Sequence, residues 1–165
     1  MLLISCRSLI ITFLLFSTSL HAAGGKGSYP IFQLPELASD SIVKLDKFRG
    51  KVVYVDFWAS WCGPCRQSLP KFNQLYKKLS NKGFSIIAIN LDENKADANN
   101  FLKDFPVSYT VLRDSKGETP QQFGVKVMPT GYLLDRFGMV RHVHEGFRNG
   151  DELKLEQQIQ KLLSE

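Results

Sequence analysis

Cysteine is scarce in this chain: its 165 residues contain only Cys6, Cys62 and Cys65. Runs of positive charge are missing too. The 21 Lys and Arg outnumber 16 Asp and Glu for a net charge of +5, yet no four basic residues stand together. Scattered positive charge describes a mildly basic surface and gives nucleic-acid binding little support. No internal repeat is visible. Hydrophobic residues make up 44% and charged residues 22%, ordinary values that exclude collagen, a disordered chain and a multi-pass membrane protein. The length sets an expectation of one domain.

The first residues read as a targeting segment. Residues 1–20 are almost wholly apolar, with Arg7 the only charge, and small residues Ala22, Ala23, Gly24 and Gly25 follow. A positive start, an apolar stretch and a small-residue exit form a secretory signal peptide. The uninterrupted run, SLIITFLLFSTSL at residues 8–20, is short for a spanning helix, which needs about 20 residues. Cleavage after Ala22 puts Leu20 three positions back, and cleavage after Ala23 puts His21 there. Residues 1–23 are therefore a signal peptide or an uncleaved N-terminal anchor. Cys6 precedes the apolar run, too early for a lipid-modified mature N-terminus. Either reading exports the globular part. Residues 24–28 are a flexible spacer. Residues 29–165 form the domain, and about 140 residues suffice to bury one sizeable core.

Periodicity and punctuation give the order of elements. Residues 29–37 are an extended, Pro-bearing entry, residues 42–45 a short strand and residues 46–50 a turn. Residues 51–58 (KVVYVDFW) are β-branched and aromatic without clean alternation, as in a strand buried on both faces. A helix is expected over 62–79, with Phe72, Leu75, Tyr76 and Leu79 on one stripe and a kink at Pro70. A second buried strand spans 84–91, a short helix 96–105, a short strand 109–112, and a helical turn 119–123 is closed by Gly124. Strands 131–135 and 139–145 join through Arg136-Phe137-Gly138 as a hairpin. Asp151 caps a last helix reaching residue 163. Helices alternating with buried strands, then a hairpin, give an α/β sandwich with a mixed central sheet and helices on both faces.

The exported domain keeps only Cys62 and Cys65. A bridge across two intervening residues closes a tiny loop and constrains the unfolded chain little. The pair is poor as a staple and suited to a redox switch. Trp61-Cys62-Gly63-Pro64-Cys65 places the two thiols where a strand runs into a helix. At the expected helix start, unpaired backbone N–H groups and the helix dipole favour the Cys62 thiolate, the form that attacks a disulfide. Cys65, one turn on, resolves the mixed disulfide by intramolecular attack. Gly63 permits a tight approach, and Pro64 fits the first helical turn. Trp58 and Trp61 offer apolar walls that shield the site and form a docking surface. Two other readings stand beside this one. Structural zinc needs about four ligands, and the remaining candidates are His142 and His144, far along the chain. A purely structural disulfide meets the loop-size objection.

Asp56 interrupts an apolar strand six positions before Cys62. A buried carboxyl has a raised pKa and is placed to take the Cys65 proton, directly or through a water. The alternative is a strand-edge Asp with a solvated tip. Met128-Pro129-Thr130 precedes a strand, where Pro makes an ordinary turn or a cis bond in a tight one. Spacing alone favours the ordinary turn.

VDFWASWCGPC (residues 55–65) together with MPT (residues 128–130) resembles the thioredoxin superfamily. The export signal, the LPELASDSIVKLDKFRGKVV entry and the insert at 96–112 are similar to its TlpA/ResA branch, exported membrane-anchored or periplasmic thiol–disulfide reductases. The resemblance covers about residues 29–163. It implies a thioredoxin-like three-layer sandwich with an N-terminal strand extension and an internal β-α insert. Cys62 would be the exposed nucleophile, Cys65 the buried resolving thiol and Asp56 the buried acid. Pro129 matches a cis-Pro that faces the dithiol and, beside Met128, presents backbone to an extended substrate. Glu93 aligns with an acidic residue that tunes the thiols in the ResA-like branch, with Asp92 adjacent as the alternative. Thioredoxins proper carry a Lys beside the buried Asp, where this chain has Ala88.

The activity implied is reduction of protein disulfides by a monomer that uses no cofactor and no metal. Electrons would come from a membrane thiol reductase, and apocytochrome c before haem attachment is one client the family offers. The Gly-Pro pair is like that of reducing thioredoxins, at about −270 mV, and unlike the strong oxidant at about −120 mV. A thiol peroxidase is a rival, but its relatives want a Thr three before the attacking Cys, where Ala59 stands. A metal-handling module of the same fold is another. Copper-delivery relatives space their thiols by three residues and add a distant His, whereas two residues intervene here.

Overall fold

The computed structural model describes residues 31–165. The readings of residues 1–23 and 24–28, and Cys6 with them, lie outside the described residues. In chain order the elements are β1 (Gln33–Pro35), β2 (Ile42–Lys44), β3 (Val52–Trp58), α1 (Cys65–Leu79), β4 (Phe84–Asn90), α2 (Lys95–Asp104), β5 (Thr110–Arg113), α3 (Glu118–Phe123), β6 (Thr130–Leu134), β7 (Val140–Glu145) and α4 (Asp151–Ser164). The central sheet has the order β5-β4-β3-β6-β7. Strands β3, β4 and β5 run parallel, and β6 and β7 run antiparallel to their neighbours. This is the thioredoxin-like mixed sheet with helices on both faces.

Burial on both faces explains why β3 and β4 lack alternation: all seven residues of each are inside. The even positions Val52, Tyr54 and Trp58 meet α1, α2 and α4 through residues such as Leu69, Phe101 and Ile159. The odd positions Val53, Val55 and Phe57 meet Phe123 of α3 and Phe32, Val43 and Phe48 of the N-terminal segment. Three helices thus share one face. The other is covered by one short helix and the extension. β1 and β2 pair with each other and touch the sheet edge where the Leu37 amide donates to the Val111 carbonyl, 2.9 Å away. The extension therefore completes the second core. Truncating a fully buried aliphatic side chain in either core costs about 2–5 kcal/mol.

Helix α1 starts at Cys65, three residues later than expected, and continues through Pro70. Residues 62–64 are a turn leading into it. The cause is the Gly-Pro pair: Cys65 N donates to Cys62 O (3.1 Å) and Arg66 N to Gly63 O (3.2 Å), bonds of the tighter three-residue spacing.

Candidate active site

The turn after β3 carries the two cysteines, and they are bonded to each other. Cys62 keeps 5% of its surface and Cys65 none. The nucleophile implied by the resemblance is thus at the floor of a groove and only slightly exposed, with the resolving sulfur sealed behind it. The groove holds about 520 Å³ between Trp61, Cys62, Pro64, Pro120, Val127 and Met128, and Lys126 is its only charged wall. The Met128–Pro129 peptide is cis, so the ordinary turn gives way to the alternative. Pro129 is buried, and its carbonyl accepts from Gly146 N at 2.7 Å.

Three expectations about the motif need correction. Most of the donors expected around Cys62 are already used. The amides of Cys65, Arg66, Gln67 and Ser68 bond to carbonyls of residues 62–64, and Cys62 N donates to Ala59 O. The helix dipole and the Gly63 amide are what remain to favour a thiolate. Gly63 is not sterically required, because a Cβ there would meet nothing within 4 Å and its φ is not positive. Trp58 forms no docking surface. It is wholly buried as the last residue of β3, with its ring 5.1 Å from that of Phe101. Trp61, 68% exposed, is the indole left at the surface beside the groove.

Asp56 is wholly buried, and neither carboxylate oxygen has a protein hydrogen-bond partner. The solvated-tip alternative is therefore wrong. Burial pushes its pKa well above the usual carboxylate range. It shares the even face of β3 with Tyr54 and Trp58, the face against which Cys65 packs. Across the sheet it stands between Ala88 of β4 and Gly131 of β6, so no charged side chain flanks it in the register.

Glu93 is exposed, and its backbone carbonyl accepts from Arg113 at 2.7 Å. Its neighbour Asp92 is buried and organises the active-site turn. Asp92 accepts from the Ser60 amide at 3.0 Å, the Ser60 hydroxyl at 2.9 Å and the Asn90 amide at 2.7 Å. The signal for Asp92 was local: an Asn and an Asp two apart after a buried strand, spaced to bond one another. His142 and His144, the candidate zinc ligands, instead both bond Gln158 of α4, at 3.4 Å and 2.8 Å.

A mixed thioredoxin-like sheet that delivers a Cys-Gly-Pro-Cys disulfide beneath a groove, with a cis-Pro in the neighbouring loop, defines a thiol–disulfide exchange protein of the thioredoxin superfamily. Comparison with known proteins agrees. The Redoxin family matches residues 23–159. The thiol-disulfide oxidoreductase ResA of Bacillus thuringiensis subsp. konkukian is 35% identical over 125 residues, 76% of this chain and 72% of the relative. That of Geobacillus thermodenitrificans is 30% identical over 139 residues, 84% and 79% of the two chains. Among solved structures, a candidate thiol:disulfide interchange protein DsbE from Chlorobium tepidum is 51% identical with a TM-score of 0.78, covering 81% of this chain and 94% of that one. The chain belongs to the Redoxin family, in the TlpA/ResA-like branch of the thioredoxin superfamily, and is a thiol–disulfide oxidoreductase.

Proposed function

We propose that the protein is exported and works mainly as a reductase of protein disulfides. The asymmetry of the cysteines supports the exchange chemistry, since Cys62 opens on an apolar groove and Cys65 is sealed on the face that holds a partnerless carboxyl, and the Gly-Pro pair between them supports the reducing direction. In the reduced enzyme the Cys62 thiolate attacks a client sulfur. A Cys62–client bond forms as the client disulfide breaks and its first thiolate departs. Cys65 then gives its proton to ionised Asp56, directly or through a water, and attacks Cys62 Sγ. The client leaves with its second thiolate, two electrons richer, and the Cys62–Cys65 disulfide remains.

The next cycle needs two electrons from another dithiol, and a membrane thiol reductase fits that role. Export rests on the apolar leader at residues 1–23, with the domain in the periplasm or held at the membrane by that segment. Apocytochrome c is the proposed client class. The reduction potential of the couple tests the direction: a value below about −180 mV, the isomerase range, is expected, and a more oxidising one overturns it. A Cys65→Ser variant should trap clients as mixed disulfides. Recovery of apocytochrome c supports the client assignment, and its absence among trapped proteins refutes it.

A further inference from the structure

Asp56, Gly131 and His144 stand in one row across the sheet, since β3 pairs Asp56 with Gly131 and β6 pairs Gly131 with His144. Side chains in such a row share a face. Gly131 has none, and the space its Cβ would occupy is filled by the hydroxyl end of Tyr54. Tyr54 lies two residues before Asp56 on β3 and so on the same face. Its hydroxyl is therefore lodged between the Asp56 and His144 columns. Directly opposed Cβ atoms lie about 5 Å apart, so the hydroxyl is within one water of the carboxyl. Tyr54 also lines a cavity of about 490 Å³ with His144, Asp151 and Lys154, and its ring meets that of His144 edge-on at 6.1 Å.

We propose that the Tyr54 hydroxyl is the proton relay between buried Asp56 and the His144-lined cavity. This rests on Asp56 accepting the Cys65 proton. Asp56 must ionise before each such transfer and again after it, and neither of its oxygens bonds a protein group that could carry the proton away. A tyrosine hydroxyl both accepts and donates. The Asp56 O–H donates through one water to the Tyr54 oxygen while the Tyr54 O–H passes its own proton through a cavity water to His144. Asp56 becomes a carboxylate, Tyr54 is neutral before and after, and the His144 imidazolium then releases the proton to the cavity.

The surrounding groups suit these roles. Burial and the neighbouring Asp56 raise the Tyr54 pKa well above its ordinary value, so it stays protonated. Burial lowers that of His144, against the opposing effect of Gln158, so the ring is neutral and ready to accept. Gln158 donates to His142 Nδ1 and accepts from His144 Nε2, an assignment from the network that leaves His144 Nδ1 as the acceptor. The charged groups around the cavity are Glu145, Arg148, Asp151 and Lys154. On the interior side Tyr109 is the other titratable group that feels Asp56.

The test is the rate of the Cys65 step in repeated turnover, in H2O and in D2O, on the full chain. Tyr54→Phe deletes one oxygen and keeps the packing. It is expected to slow the step at least fivefold and to enlarge the solvent isotope effect, whereas Tyr109→Phe changes neither. His144→Ala should also slow the step, and imidazole, small enough for the cavity, should restore it. If Tyr54→Phe stays within twofold of the parent, or Tyr109→Phe slows the step as much, the relay is wrong. Asp56→Asn separates the two claims. If it leaves the rate intact, the acceptor role itself fails. If it slows the step while Tyr54→Phe does not, only the relay fails. Adding Tyr54→Phe to Asp56→Asn should produce no further loss.

Discussion

Replacing Asp56 by Asn removes a buried charge and a proton acceptor while keeping the side chain's shape, so stability and exchange should move in opposite directions. Below the unfolded pKa, about 3.9, both folded and unfolded chains hold the Asp56 proton and the group is neutral in folding. As pH rises, the unfolded chain releases the proton while the folded chain keeps it, because burial holds the folded pKa well above the unfolded one. Stability then falls by about 1.4 kcal/mol per pH unit until the folded pKa is passed, where the loss levels off. An amide has no proton to lose. The variant's advantage should therefore grow at that slope from about pH 4 upward. Protonated carboxyl and amide both leave polar atoms unpaired here, so their desolvation nearly cancels. With a urea m-value of about 1–3 kcal/mol/M, the slope becomes about 0.5–1.4 M in midpoint per pH unit. Urea unfolding of oxidised parent and variant at pH 4, 5, 6 and 7 reads it. On the same variant, stopped-flow exchange should show the Cys65 step slowed, general-base catalysis being worth about 10²–10⁴-fold. Parallel midpoints across this range would refute the buried-charge argument. A variant that is less stable and exchanges normally would make Asp56 a structural hydrogen-bonder.

In the reduced protein Cys62 should be alkylated by iodoacetamide faster than Cys65 and faster than free cysteine at pH 7; the opposite order, read by mass spectrometry, removes the assigned roles. Asp92→Ala strips the Ser60 amide and hydroxyl of their acceptor, and a loss of about 1–3 kcal/mol is expected in urea unfolding. Gly131→Ala drives a Cβ into Tyr54, and overpacking of this kind costs about 1–3 kcal/mol. Adding Tyr54→Leu should recover part of that loss, a non-additivity that a double-mutant cycle measures. Gly63→Ala meets open space and should unfold within about 0.5 kcal/mol of the parent.

The strands were legible because their burial on both faces leaves a dense β-branched and aromatic run, and Asp56 was legible because it breaks that run. The cysteine pair needed only its spacing. What escaped was decided by contacts between distant segments. The start of α1 depends on which amides find carbonyls in the Gly-Pro turn, and composition does not specify that. Coverage of the odd face by Phe32, Val43 and Phe48 joins residues tens of positions from β4 and α3, with no local pattern to announce it. Trp58 was readable in principle: at two residues from Asp56 it shares that inward face, whereas Trp61 lies beyond the strand in the turn. Asp92, and not Glu93, meets the active-site turn for a similar reason, since Asn90 ends β4 facing inward and draws Asp92 in after it.

Parity along β3 divides the labour of the fold. The odd positions Val53, Val55 and Phe57 are apolar and pack against a mostly apolar set, in which the Tyr132 hydroxyl donates to the Phe123 carbonyl. The even face holds Tyr54, Asp56 and Trp58, and the unpaired atoms of Asp56, Trp58 and Tyr109 gather in the core on that side. Each such orphan costs about 1–3 kcal/mol, comparable to the about 1.5–3 kcal/mol that full burial of one large aliphatic or aromatic side chain contributes. A fold tolerates destabilising groups where one of them serves its chemistry, as Asp56 does here. Here they lie on the face that Cys65 packs against, and the opposite core, built partly from the N-terminal extension, offsets them. The extension is thus tied to function without touching the dithiol: it stabilises the face that carries no chemistry, which lets the other face hold a carboxyl in the dark.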